Sequence, residues 1–148
     1  MQNLNLPTYP FKIKKVGEKY YIFDTIRKKD ILLTPEEWVR QHFIRFLLQE
    51  KGYKASLLAV EKEIKVNNLK KRFDILVFNH KGEHEIIVEC KAPQIKITQA
   101  VFDQIARYNL KLNAKYLVVT NGLEHYYCKM DTENQRYIFL KDLPKYQK

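Results

Sequence analysis

Short apolar and aromatic runs, FKIKKV, KYYIFD and DILL, fill residues 11 to 33, broken by Gly17-Glu18 and by the basic turn Arg27-Lys28-Lys29. They predict small strands ahead of a first helix. Thr34-Pro35-Glu36-Glu37 then supplies a helix start, with Thr as N-cap, Pro at the first helical position and Glu three residues after the cap. The helix is expected from about Pro35 to Lys51, ended by Gly52. Val39, Phe43, Phe46 and Leu47 recur at helical spacing and make its buried stripe, flanked by Trp38 and Leu48.

Leu57 to Val66 suits a strand, followed by a polar turn at Asn67-Asn68 and the basic step Leu69-Lys70-Lys71-Arg72. FDILVF (Phe73 to Phe78) and HEIIVECK (His84 to Lys91) read as two strands of a hairpin around Asn79 to Glu83. After Ala92-Pro93, a second helix is expected over Thr98 to Leu112, with Thr98 as cap and Val101, Ile105, Tyr108 and Leu112 at helical spacing. KYLVVT (Lys115 to Thr120) is a buried-type strand and Asn121-Gly122 a turn, after which Leu123 to Met130 and Arg136 to Leu140 complete the sheet.

The order predicts an α/β fold: helix, three-stranded antiparallel meander, helix, further strands, with short strands in front. A chain of 148 residues has the size of one domain. We divide it into N-terminal strands (1–33), a core (34–122) and C-terminal strands with a tail (123–148). With 45% hydrophobic and 30% charged residues and only 4 Gly and 5 Pro, it has globular rather than disordered or fibrous composition. Lys and Arg total 27 against 17 Asp and Glu, a formal charge of +10, which makes a polyanion a natural partner. Cys90 and Cys128 form no CxxC and have no histidine at zinc-finger spacing, and His42, His80, His84 and His125 are scattered. Neither a disulfide framework nor a zinc site is suggested. The N-terminus has no charged segment leading into an apolar run, and no stretch approaches the ~18 apolar residues of a membrane span, so a cytoplasmic protein is expected.

A hairpin centred between Lys81 and Gly82 would pair residues whose numbers sum to 163, setting Asp74 directly opposite Glu89. Glu89 and Lys91, two apart on one strand, project from the same face. Facing like charges destabilise a sheet unless a cation bridges them or one is neutralised. Mg²⁺ suits the site, with Mn²⁺ as substitute, because hard divalent ions take oxygen ligands, use one or two carboxylates and keep waters for a substrate phosphate. The backbone carbonyl of Cys90 offers a further oxygen. A lysine beside such a site orients the attacking water and stabilises charge developing on phosphate, which points to phosphodiester hydrolysis.

Asp74, then about fifteen residues, then Glu89-Cys90-Lys91 across a hairpin resembles the PD-(D/E)XK nuclease superfamily, although Phe73 stands where the name has Pro. Gln104 and Tyr108 form a Gln-x-x-x-Tyr one turn apart on the following helix. This pairing, with Thr34 to Gln41 as opening helix, is similar to the N-terminal nuclease domain of type I restriction enzyme motor subunits. The resemblance covers about Thr34 to Gly122 and implies a restriction-endonuclease-like core. No helicase region follows, so a small stand-alone protein without the motor is expected.

Glu37 is explained by a capping box, whereas Glu36 falls on the buried stripe at the spacing of Val39 and Phe43, where an unpaired carboxylate is costly. Glu36 is therefore expected to face the metal, with Glu37 as alternate. Arg72, Arg40 and Lys96 are candidate phosphate contacts, as are Gln104 and Tyr108 on their helix. The expected function is an Mg²⁺-dependent DNA endonuclease connected to restriction or repair. The competing reading is a non-catalytic nucleic-acid-binding module working with a partner subunit. A homodimer would suit cutting both strands of a duplex.

Overall fold

The computed structural model describes residues 1–66 and 68–147. Three short antiparallel strands come first, β1 (Ile13–Val16), β2 (Lys19–Asp24) and β3 (Lys29–Leu32), forming a sheet of their own. Lys28, in the basic turn between β2 and β3, takes a positive φ. Helix α1 (Pro35–Arg45) continues through a π turn over Phe46–Glu50, where the Lys51 amide bonds back to the Phe46 carbonyl. Gly52, with φ +76, ends it. The Thr34 hydroxyl accepts from the Glu37 amide as the N-cap sequence predicts.

The second sheet contains six strands in chain order: β4 (Leu58–Val66), β5 (Leu69–Phe78), β6 (His84–Cys90), β7 (Tyr116–Thr120), β8 (His125–Asp131) and β9 (Arg136–Leu140). All neighbours are antiparallel except β6 and β7, which are parallel and joined through helix α2 (Gln99–Asn109). A parallel pair needs such a crossover, because a tight turn only reverses the chain. The expected order of helix, meander, helix and further strands is present. The basic step at Leu69–Arg72 is the start of β5 rather than a connection. Asn67, half of the expected polar turn, lies outside the described residues; its neighbour Asn68 has φ +67.

Successive residues of a strand point to opposite faces, so the sheet carries two cores. Ile75, Val77, Ile86, Val88 and Val118 pack with Val39, Phe43, Ile44 and Leu47 of α1. Leu76, Ile87, Leu117 and Val119 pack with Phe102, Ala106 and Leu110 on the α2 side. Each fully buried Val, Leu, Ile or Phe contributes about 1.5–3 kcal/mol of hydrophobic stabilisation, so both helices are fixed mainly by these faces. For α2 the buried line is shifted by one position from the expected Val101–Ile105–Tyr108 stripe. Phe102 turns inward to meet Tyr126, Tyr137 and Phe139, and Asp103 is held by the Tyr137 hydroxyl. The deciding aromatics lie in strands that local periodicity does not see.

Candidate functional site

The hairpin register holds. Ile75 faces Val88, Leu76 faces Ile87 and Val77 faces Ile86, and Asp74 and Glu89 are the next residues on their strands beyond the last of these pairs. The loop spans residues 79–83 as expected, and a bulge between Val77 and Phe78 reconciles its odd length with the register of the deeper pairs.

One row further out, alternation breaks. On β4, Leu58 belongs to the α1-side core with Val60 packed against it, while Ile64 packs on the other side; on β5, Ile75 and Phe73 part in the same way. The switch lies at Glu61, a non-glycine residue with φ +56 between the pairs Val60–Ile75 and Lys62–Phe73. Glu61 is thus the β4 neighbour of Asp74, and its backbone conformation is of the kind that costs on the order of 1–3 kcal/mol and persists only when its surroundings hold it. The twist releases Asp74 from both cores toward α1.

Asp74 meets two donors there. Its Oδ2 accepts the Cys90 amide at 2.8 Å and its Oδ1 the Arg40 guanidinium at 2.7 Å. Arg40, expected as a surface cation for phosphate, is instead 6% exposed and ion-paired with Glu36 (3.2 Å), Glu61 (2.6 Å), Asp74 and, at close range, Glu37. Burial opposes its charge, and Asp74 and Glu37 more than offset this, so its pKa moves up. The two helix glutamates also exchange roles relative to the sequence reading. Glu37 is buried, and its carboxylate binds Arg40, Arg27 and Gln41 in place of completing the capping box. Glu36 has 48% of its side chain exposed, because the buried arc of α1 runs through Glu37, Arg40 and Gln41 and leaves position 36 at the rim. Its carboxyl is nevertheless pushed up, by burial and then by the charge of Asp74, with Arg40 and Lys91 opposing.

On the α2 side, Glu89 is buried and Lys71 Nζ lies 3.0 Å from its Oε1. That ammonium is the partner of a carboxylate oxygen otherwise closed off from solvent. Burial raises the Glu89 carboxyl; Asp74 raises it further, while Lys71 and Lys91 oppose. Lys71 also lies over the Tyr108 ring, 4.5 Å from its centre, which ties the Gln-x-x-x-Tyr helix to Glu89. Lys91 is half-buried just past β6, its amide donating to the Thr120 carbonyl at 2.8 Å, and its ammonium forms no ion pair among the described residues. Gln104, Lys96 and Arg72 are exposed, Arg72 standing 3.6 Å from Glu61.

The structure therefore sets Asp74, Glu36 and Arg40 together toward α1 and Glu89 with Lys71 and Tyr108 toward α2, with the charges of Asp74 and Lys91 felt by both glutamates, and leaves Lys96 and Gln104 at the surface. Glu61 and Lys71 were not singled out from sequence. Glu61 was within reach of the same arithmetic: a turn at Asn67-Asn68 pairs residues summing to 135, which sets Glu61 against Asp74. Lys71 was not, since its partner depends on the face switch.

The donor chemistry fits a hard divalent cation. Asp74 and Glu89 offer hard carboxylate oxygens from adjacent strands, each with a cation against it, Arg40 on Asp74 and Lys71 on Glu89. As arranged, no three His, Cys, Asp or Glu side chains among the described residues converge tightly enough to hold a metal ion. Arg40 lies against Asp74, and Cys90 faces that carboxylate through its amide.

No curated protein matches the chain. A family model described as the type I restriction enzyme R protein N terminus (HSDR_N) matches residues 35–144, leaving β1–β3 outside the match. The matched span runs from the first residue of α1 past the end of β9 and so contains both helices, the whole six-stranded sheet and the acidic row between them. This chain belongs to the family of type I restriction enzyme R protein N-termini and is a restriction-related, nuclease-like domain.

Proposed function

We propose that this domain hydrolyses DNA phosphodiesters with the help of Mg²⁺, for which Mn²⁺ substitutes, in a restriction or repair setting. The observation that carries the reading is that Asp74 on β5 and Glu89 on β6 lie just past the last ladder pair, Ile75–Val88, with the Asp74 carboxylate on the Cys90 amide and Lys91, which forms no ion pair among the described residues, next in the chain. Asp74 and Glu89 would hold the ion, with Glu36 at the rim and the Cys90 carbonyl as further oxygen donors. When bound, the ion would polarise the phosphoryl oxygen and acidify a water. Lys91 brings a positive charge to the site, where it stabilises the negative charge that grows on phosphate in the transition state. Tyr108, and from the surface Gln104, Arg72 and Lys96, offer phosphate contacts around it.

Cleavage of a mixed panel of duplex, single-stranded and branched DNA with Mg²⁺ or Mn²⁺ tests this directly. Wild type is expected to cut, Asp74→Ala to be inactive, and Lys91→Ala to bind Mn²⁺ nearly as wild type in calorimetric titration while its single-turnover rate falls by orders of magnitude. Unchanged cleavage by Lys91→Ala would remove the lysine from the mechanism. The second reading, a non-catalytic nucleic-acid-binding module acting with a partner, is favoured by one observation: Arg40 already neutralises Asp74. DNA binding without cleavage under every metal condition would select it.

A further inference from the structure

Arg40 does more than brace a helix. A guanidinium on a helix surface ordinarily pairs with one carboxylate a turn away, and Arg40 does so with Glu36 and Glu37. It also reaches across to the sheet, where Asp74 and Glu61 come within 2.7 and 2.6 Å of the same Nη2. Four carboxylates from α1, β4 and β5 thus surround one buried cation, and one of them, Glu61, is carried there by a strained backbone. Removing the cation would leave acids that repel each other in a poorly solvated site. The site is therefore assembled around a positive charge before any metal arrives, and that charge rests on the carboxylate with most reason to be a ligand.

Resting on the metal-dependent reading above, we propose that Arg40 is a built-in counter-cation that competes with the divalent ion for Asp74, so that the guanidinium must withdraw from Asp74 for the metal to bind. Its retreat has a direction. Nη1 stays with Glu37, which is itself anchored by Arg27 Nη2 at 2.9 Å and Gln41 Nε2 at 2.9 Å, and both of those bind Asp24 at the end of β2. Glu37 therefore holds Arg40 from the side away from the sheet and fixes how readily it yields. Arg40 acts here as a positioning residue for the acidic row, not as a group that touches substrate.

The test compares Mn²⁺ affinity of the full chain with that of Arg40→Met, which keeps an apolar stem and loses the charge. Calorimetric titration should show Arg40→Met binding Mn²⁺ at least tenfold more tightly than wild type. Its melting temperature should be lower in EDTA and recover with Mn²⁺ by more than wild type gains. Equal or weaker binding by a folded Arg40→Met would overturn the competition while leaving the metal site intact. Absence of Mn²⁺ binding by both proteins would instead remove the metal reading itself. Should Arg40→Met fail to fold, wild type supplies the answer through NMR. Titration with Mg²⁺ should move the Arg40 Nε–H resonance together with the Cys90 amide, which reports on Asp74 through their hydrogen bond. A Cys90 amide that shifts while Arg40 stays fixed would count against the idea.

Discussion

Asp24 has no exposed surface yet keeps its charge in the fold. Burial alone would raise its pKa, but hydrogen bonds from the Arg27 backbone and guanidinium and from Gln41 outweigh it and hold the carboxyl below its ordinary value of 3.8. Because the folded pKa lies below the unfolded one, the stabilisation is complete above the ordinary Asp range and is lost as pH falls through the folded value. Asp24→Asn is accordingly expected to cost about 2–4 kcal/mol at pH 7. The gap to wild type should narrow below about pH 4, as urea denaturation across a pH series would reveal. A gap independent of pH would mean that packing, rather than charge, is what Asp24 supplies. Sequence pointed to Asp74, Glu89 and Lys91 because strand periodicity and hairpin register are local. It misjudged the burial of Glu36 and Arg40 and the partners of Glu37, because these depend on which side of α1 meets Glu61 and Asp74, residues that arrive from other strands.

At the level of elements, the turn between β7 and β8 links the N-terminal segment to α1. Gly122 has φ +86, and a methyl group added there would come within 2.8 Å of a Leu4 methyl and 3.1 Å of one on Val39. The Asn5 amide also bonds to the Gly122 carbonyl at 2.8 Å. Gly122→Ala therefore combines backbone strain with a clash, and an expected loss of about 1–3 kcal/mol would be read from thermal or chemical melting. A neutral outcome would show that residues 1 to 6 can be displaced from α1 at little cost. The Asn-Gly pair was legible as a turn, and the expected strand start at Leu123 moved to His125 because the Asn121 side chain caps the following amides, Leu123 at 2.9 Å and Glu124 at 2.8 Å. The two helices and the strands followed from periodicity, whereas the short 3-10 turn at Ala55–Leu57 and the phase of α2 did not.

For the molecule as a whole, a formal charge of +10 predicts DNA binding dominated by counterion release. Affinity for duplex oligonucleotides should fall linearly on a log–log plot with salt, with a slope of about 0.9 per phosphate contacted, and should be nearly independent of sequence. A flat salt profile would argue that the basic surface serves another purpose. The sequence by itself determined the fold class, the succession of elements and the β5–β6 register that leads up to Asp74 and Glu89, since helix caps, strand alternation and hairpin register are set by neighbours within a few residues. The tertiary structure alone decided that the two faces of the sheet exchange at Glu61, that Lys71 reaches Glu89 beneath Tyr108, and that Arg40 lies at the centre of the acids. These depend on contacts between segments distant along the chain, and the energy of a buried charge is set by the charges brought around it rather than by the residues beside it in sequence.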